Sequence, residues 1–242
     1  MDETADRRSA KTVVVVAGGD PPDPDVRSTI PASSAVVAAD SGADTALALG
    51  LVVDEIVGDL DSVSGAVLDA VVGGGAAVDA HQRDKDATDL ALAVAAALHR
   101  DPTCILVLGG LGGRLDHELA NLTLLAGDEL AGVDVVIRSG RVTVSIVRPG
   151  RRTMVCGDPG DLVSLVPMHG SAVGVTTDGL RWPLADAELP VGTTIGISNE
   201  LVERQGWVTC AGGVLLAVQP GLPAPFVPTR SGSSNISQGD VR

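Results

Sequence analysis

The chain has 242 residues and carries 17 Lys+Arg against 31 Asp+Glu, a formal charge of -14 at pH 7. A balance that acidic excludes a protein that works by laying a broad basic face on nucleic acid or on an anionic membrane. Apolar residues make up 45% of the chain, enough for a real core in one large domain or two small ones.

In chain order, the leading MDETADRRSAK is charged and has no apolar h-region, so it does not read as a signal peptide. Short β-branched runs follow: VVVVA (13–17), AVVAA (35–39), EIVG (55–58), AAVDA (76–80), CILVLGG (104–110) and VDVVI (133–137). Between them TALALG, SGAVLDAVV and ATDLALAVAAALHR have helical periodicity and propensity. Strands apolar throughout and separated by helices predict an α/β domain over 12–147, with a mostly parallel sheet covered on both faces. Such sheets bind ligands where the strands end.

The pattern changes at Arg148-Pro149-Gly150-Arg151-Arg152. Beyond it TMVCG, DLVSLVPM, SAVGVTT, TTIGISNE, WVTCAGG and VLLAVQ alternate with frequent turns, which predicts a small all-β sandwich domain over 151–219. The five arginines from Arg138 to Arg152 are open to two readings, a phosphate patch or solvated strand ends and a linker. Residues 220–242 are rich in Pro, Ser, Gly and Asn and are expected to be a disordered tail. Cys104, Cys156 and Cys210 are far apart, odd in number and set in apolar runs, so they read as buried thiols of a cytoplasmic protein. The stretch from Gln205 to Thr229 is uncharged but broken by Gly and Pro, so no membrane helix is expected.

The charge is not spread evenly. Between Asp40 and Asp89 there are eleven acids and two bases, so -9 of the -14 falls in fifty residues. In Gly58-Asp59-Leu60-Asp61-Ser62, directly after EIVG, side chains two apart on an extended chain point the same way, so Asp59 and Asp61 are expected to converge. Two such carboxylates suit a shared Mg²⁺; the alternative is a solvated turn that caps the next helix. Asp40-Ser41-Gly42 puts a third acid at the same sheet edge, unless Asp40 only forms the turn. In Asp84-Lys85-Asp86-Ala87-Thr88-Asp89, Asp86 with Asp89 resembles a capping box, which leaves Lys85 and Thr88 unexplained.

The other half of a phosphate site is Gly109-Gly110-Leu111-Gly112-Gly113-Arg114, set between a buried strand and a helix. Its backbone N–H groups can approach an anion, and Arg114 adds a planar cationic fork. No Gly-Lys-Ser/Thr follows, so it is not a Walker A loop. His117 is the histidine in this loop, suited to orienting a phosphate or nucleotide or to acting as a base. Only three aromatics are present, Trp182, Trp207 and Phe226. Trp182, in a Gly-Leu-Arg-Trp-Pro turn, therefore reads as a flat platform for a substrate ring rather than as core.

Taken in order, ADSGAD (39–44), VGDLDS (57–62), DKDATD (84–89), GGLGGRLDHELAN (109–121), GLRWPL (179–184) and SNE (198–200) resemble the thiamine pyrophosphokinase family over about Val13 to Val218. The resemblance implies an α/β catalytic domain followed by a β-sandwich, a homodimer, and transfer of the diphosphate of ATP to thiamine with Mg²⁺ and release of AMP. It makes Asp59, Asp61 and Asp89 the metal ligands and, with Arg114, the catalytic set. It assigns nucleotide and phosphate binding to Asp40, Ser41, Gly42, Lys85, Asp86, Thr88, Gly112, Gly113, Arg114, Asp116, His117 and Asn121. Trp182, Ser198 and Asn199 match the part that holds thiamine across the dimer interface. Ser41 departs from the glycine usual in the family after the first acid. Two alternatives stay open: a diphosphokinase for another alcohol, such as a hydroxymethylpterin, and a non-catalytic nucleotide or thiamine-diphosphate sensor.

Overall fold

A computed structural model describes residues 11–82 and 86–221. The tail expected over 220–242 falls, from residue 222 on, outside the described residues, as do the first ten residues and Lys85.

Six strands form a parallel sheet: β1 (Thr12–Val16), β2 (Ala35–Ala39), β3 (Glu55–Gly58), β4 (Ala77–Ala80), β5 (Cys104–Leu108) and β6 (Asp134–Ser139). Their order is β4-β3-β2-β1-β5-β6. The chain thus moves outward from β1 to β4, then returns to the other side of β1 to lay down β5. Right-handed crossovers require the connecting helices to change faces at that reversal. Helices α1 (Gly42–Ala48) and α2 (Gly65–Gly73) cover one face, where Ala43, Ala46 and Val71 pack on Val14, Val16 and Ile56. Helices α3 (Asp89–Leu98) and α4 (Leu115–Ala126) cover the other, where Ala93, Val94, Ala97 and Leu125 pack on Val13, Val15 and Ile105. The Ala and Val side chains at these contacts let the helices sit close to the sheet. The point where strand order reverses, between the carboxyl ends of β1 and β5, is where such sheets open a crevice.

The sheet does not stop at β6. An antiparallel strand, β7 (Val142–Val147), turns back along β6, and the last strand, β13 (Gly212–Gln219), returns to pair with β7. Beyond β13 lies β9 (Leu162–Asp178), whose first half pairs with β13 and whose second half pairs with β12 (Gln205–Thr209). It therefore forms the corner of a sandwich that also holds β8 (Thr153–Cys156), β10 (Ala187–Leu189) and β11 (Asn199–Glu200). A second core of Val147, Val155, Val163, Leu189, Leu201, Val208 and Leu215 fills it.

Four of the five arginines near the change of pattern, Arg138, Arg148, Arg151 and Arg152, are engaged within the fold rather than forming a phosphate patch. Buried Arg148 donates to the carbonyls of Leu125 (3.2 Å) and Gly127 (2.8 Å), closing the C-terminal end of α4. Arg151 pairs with Asp134 at 2.7 Å, and Arg152 stacks 4.3 Å from the Trp207 ring centroid. Arg138 is buried on β6, which draws its guanidinium down to about 10. Among the described residues no helix is long and apolar enough to cross a membrane, and the three cysteines are free thiols.

Candidate active site

Four strand ends and the turns after them build a cleft of about 440 Å³ at the β1–β5 reversal. Asp40 follows β2, Asp59 follows β3 and Asp89 opens α3. One carboxylate oxygen from each lies within 4.8 Å of the others. Three like charges that close repel by roughly 3 kcal/mol per pair at an effective dielectric near 20. Gly58 allows the approach, because a β-carbon there would stand 3.1 Å from Asp89 Oδ1 and 3.2 Å from Asp40 Cβ. Asp40 itself is buried in the left-handed region (φ 45°), and among the described residues its Oδ1 finds no hydrogen-bond partner. Burial raises the Asp40 carboxyl above its ordinary value, opposed by Ser62 and the Ser41 backbone and reinforced by Asp89 and Asp59. A hard divalent cation fits this donor set: all oxygen, anionic, and holding one desolvated oxygen without a partner.

Asp61 stands outside the group. The expectation that it converges with Asp59 assumed an extended chain, but Leu60 is left-handed (φ 61°), which breaks the alternation. Asp61 instead accepts from Ser62 Oγ at 3.0 Å. The capping of α3 also differs from the expected Asp86–Asp89 box. Thr88, not Asp86, caps α3, its side chain accepting from Ala91 N at 3.2 Å, and Asp86 does not line the cleft.

The opposite wall is the glycine-rich loop. Gly112, Gly113, Arg114, His117 and Asn121 line the cleft, together with Ser41 and Thr88. Not all of the loop's N–H groups are available to an anion: Gly112 donates to Glu118 (3.0 Å) and Leu111 to Ser139 Oγ (2.9 Å). Asn121 fixes the loop by donating to the Gly110 carbonyl at 2.8 Å. Arg114 and Asp116 form a two-point ion pair, 2.5 and 3.1 Å, that raises the guanidinium and lowers the carboxyl, both solvent-exposed. Asp116 therefore reaches the cleft through Arg114 rather than by lining it. None of the cysteines lines the cleft, and burial pushes the Cys104 thiol up to about 12, far from a working nucleophile.

Gly18 and Gly19 also line the cleft and were not singled out in the sequence, although VVVVAGG shows them directly after β1. Gly19 N donates to the Gly109 carbonyl at 2.9 Å, which joins the two loops across the reversal point. A β-carbon on Gly18 would overlap Ser41 Oγ, so the serine occupies space that Gly18 leaves open. Gly42 does not line the cleft but lies beneath it, where a β-carbon would overlap the Val16 carbonyl oxygen. Helix propensity alone would favour alanine at Gly42 by about 1 kcal/mol. Gly42→Ala is nevertheless expected to lose about 2–4 kcal/mol of stability, read from urea unfolding, because backbone must move to admit the methyl group. An unchanged or increased stability would show that the contact is not rigid.

Trp182, Ser198 and Asn199 gather in a second cleft of about 350 Å³ in the sandwich, with Ile195 and Ile197. Buried Asn199 grips the Trp182 backbone from both sides, accepting from its N–H (3.1 Å) and donating to its carbonyl (2.7 Å). The ring lies 5.0 Å from the Arg181 guanidinium, and the residue is 53% exposed. Ser198 is held in the left-handed region (φ 59°) with its N–H on Ser164 Oγ at 3.0 Å. Among the described residues none lines both clefts.

Comparison with known proteins agrees with this layout. The chain is 29% identical over 211 residues to thiamine pyrophosphokinase of Bacillus subtilis, covering 86% of this chain and 98% of the relative. It is 30% identical to thiamine pyrophosphokinase 1 of rice, covering 64% of this chain and 62% of that relative. The crystal structure of the Bacillus subtilis thiamine pyrophosphokinase superposes with a TM-score of 0.76 at 26% identity, over 88% of this chain and all (100%) of the other. That of Geobacillus thermodenitrificans gives 0.73, also at 26% identity and over 88% of this chain and 100% of the other. The model of the thiamin pyrophosphokinase catalytic domain matches residues 26–137 and that of the vitamin B1 binding domain matches 152–215. With both halves matched in order and the fold shared over 88% of its length, this chain belongs to the thiamine pyrophosphokinase family.

Proposed function

We propose that the protein is a thiamine diphosphokinase: it moves the β,γ-diphosphate of ATP to the hydroxyethyl oxygen of thiamine, giving thiamine diphosphate and AMP. The observation that carries this reading is the meeting of three carboxylates and a glycine–arginine loop at one strand reversal. That pairs cation-holding groups with anion-holding groups, as a polyphosphate requires. In the transfer a bond forms from the hydroxyethyl oxygen to the β-phosphorus, the bond from the β-phosphorus to the α,β-bridging oxygen breaks, AMP leaves with that oxygen, and the hydroxyl gives up its proton. Such transfers depend on positioning and charge neutralisation more than on a strong base.

The region 12–147 binds the donor. Asp59 and Asp89 are the Mg²⁺ ligands common to the geometry and the family resemblance, with Asp40 added by the geometry and Asp61 by the resemblance. Bound Mg²⁺ would neutralise phosphate charge. Arg114 exchanges its bond to Asp116 for phosphate oxygens, and His117 and Asn121 border them. The region 151–219 binds the acceptor, with Trp182 offering a face to the cationic heterocycle and Asn199 holding the Trp182 backbone in place. Among the described residues the two clefts share no lining residue, and with the family resemblance we assign the complete site to a homodimer in which the acceptor cleft of one copy meets the donor cleft of the other. Free thiols suit a reducing cytoplasm.

Incubation with ATP, Mg²⁺ and a panel of primary alcohols, followed by product mass, tests the acceptor. Thiamine is expected to be converted to its diphosphate and a hydroxymethylpterin left untouched; the reverse would reassign the acceptor cleft.

A further inference from the structure

Four of the six residues from Gly109 to Arg114 are glycine, the residue that loses most conformational freedom when it is ordered. The first half of this loop is tied down at every residue. Gly109 N donates to the Arg138 carbonyl (2.9 Å), and the Gly109 carbonyl accepts from Gly19 N (2.9 Å). Asn121 Nδ2 donates to the Gly110 carbonyl (2.8 Å), Leu111 N donates to Ser139 Oγ (2.9 Å), and the Leu111 carbonyl accepts from Asp20 N (2.7 Å). Beyond Leu111 the chain turns through Gly112 (φ 100°) and Gly113 (φ 93°) before α4 begins. Glu118 holds this turn, its Oε1 accepting from Gly112 N at 3.0 Å. On its other side Gly112 lies against Asp20, where a β-carbon would overlap the carboxyl group. We propose that Glu118 is a positioning residue of the diphosphate transfer: by holding Gly112 it sets the Gly113–Arg114 turn in the shape that receives the phosphates. This role rests on the diphosphokinase reading and adds to it a residue that does not line the cleft.

Three features support the assignment. The first is where the bond falls. A capping box would use the third residue of the helix to close the N–H of the cap residue, here Arg114. Glu118 is the fourth residue of α4 and reaches past the cap to Gly112, and α4 has no side-chain cap. The N–H groups of Gly113 and Arg114 are therefore not taken by Glu118 and stay beside the cleft that both residues line. The second is the sign of the charge. A carboxylate behind a loop that receives polyphosphate repels the ligand, so its charge gives no direct attraction. What it supplies is a charge-assisted bond to a backbone N–H, at a reach that fixes torsions which glycine leaves free. The third is the connection to Arg114. The guanidinium is carried on the residue directly after Gly113, so the same turn decides where it starts. Donors set in place before the ligand arrives contribute most to binding and to transition-state charge.

The test is isothermal titration of the full chain with MgATP and with magnesium tripolyphosphate, in the absence of an alcohol, together with steady-state kinetics. Wild type is compared with Glu118→Ala, Glu118→Asp and Glu118→Gln. Aspartate keeps the charge in the first turn of α4 but is one methylene short of Gly112; glutamine keeps the length and the acceptor oxygen but not the charge. Glu118→Ala and Glu118→Asp are expected to weaken both ligands by about tenfold and to raise the KM for ATP alike, with the KM for thiamine within about twofold. Glu118→Gln is expected to stay within about twofold of wild type for both ligands. A role confined to the helix dipole would give the reverse ranking, with aspartate like wild type and glutamine impaired. That ranking, or wild-type binding of both ligands by Glu118→Ala and Glu118→Asp, would overturn the inference. AMP release by the wild-type protein separates it from the reading beneath it. Turnover on thiamine with unchanged binding in the variants defeats only the role of Glu118. The expected ranking in a protein that releases no AMP with any alcohol upholds Glu118 as the holder of the phosphate loop and defeats the diphosphokinase reading.

Discussion

Replacing Asp59 by Asn is expected to lower kcat by about a hundred- to a thousandfold while raising the melting temperature of the metal-free protein by a few degrees. Both effects have one cause. Asp40, Asp59 and Asp89 place carboxylate oxygens within 4.8 Å of one another, an arrangement that costs stability until a cation or substrate is present. The sign can be followed at Asp40, which burial holds above its ordinary value in the folded protein. A carboxyl whose folded value is raised contributes stability that is fully present below its unfolded value and is lost as pH rises through the folded one. Asp40→Asn removes that loss and suits the left-handed backbone at this position. Its stability advantage over the wild-type protein should therefore grow from about pH 4 toward neutrality in EDTA, and shrink when Mg²⁺ is added. Equal melting curves of the two proteins across that range, or near-normal turnover by Asp59→Asn, would remove the carboxylate group from the site.

Two impaired variants are expected to rescue each other. Asp59→Asn disables the donor cleft and Trp182→Ala the acceptor cleft, the latter by about thirtyfold in kcat/KM for thiamine. If each complete site joins a donor cleft from one copy to an acceptor cleft from the other, a heterodimer of the variants holds one intact site and one doubly impaired site. Random pairing of equal amounts then makes half of the dimers heterodimers, and the mixture recovers about a quarter of wild-type activity at subsaturating thiamine. Subunits are exchanged by co-expression with two affinity tags, and the doubly tagged species, which is all heterodimer, is expected to show about half of wild-type activity. Activity no greater than the sum of the two parents would place both clefts of a working site in one chain.

Much of this layout could be read from the residues. The apolar runs and the Ala-rich segments between them locate β1 to β6 and α1 to α3 to within a few residues, because a two-face-covered sheet leaves little room for other patterns. Asp40, Asp59 and the 109–114 loop fall at strand ends for the same reason, and Asp89 falls at the start of α3. Other features were hidden because they depend on torsions or on distant partners. A left-handed Leu60 cannot be foreseen in Gly-Asp-Leu-Asp-Ser, and it is what separates Asp61 from Asp59. The return of β13 to β7 joins segments about seventy residues apart, and an alternating strand does not name its partner. Leu162–Asp178 reads as two runs broken at His169-Gly170, yet it is one strand that bends around the sandwich corner, with positive φ at His169, Gly170 and Gly174. Gly18 and Gly19 were visible but lacked an arginine to mark them. The local acid excess between Asp40 and Asp89 proved the most informative feature, since it marks where cation-holding groups crowd one crevice.

The most direct measurement follows AMP and thiamine diphosphate together, by chromatography, in reactions of the purified protein with ATP and thiamine, with Mg²⁺ and with EDTA. Both products are expected in equal amounts with Mg²⁺ and neither with EDTA. ADP and thiamine monophosphate in their place, or tight binding of both substrates with no product, would contradict it.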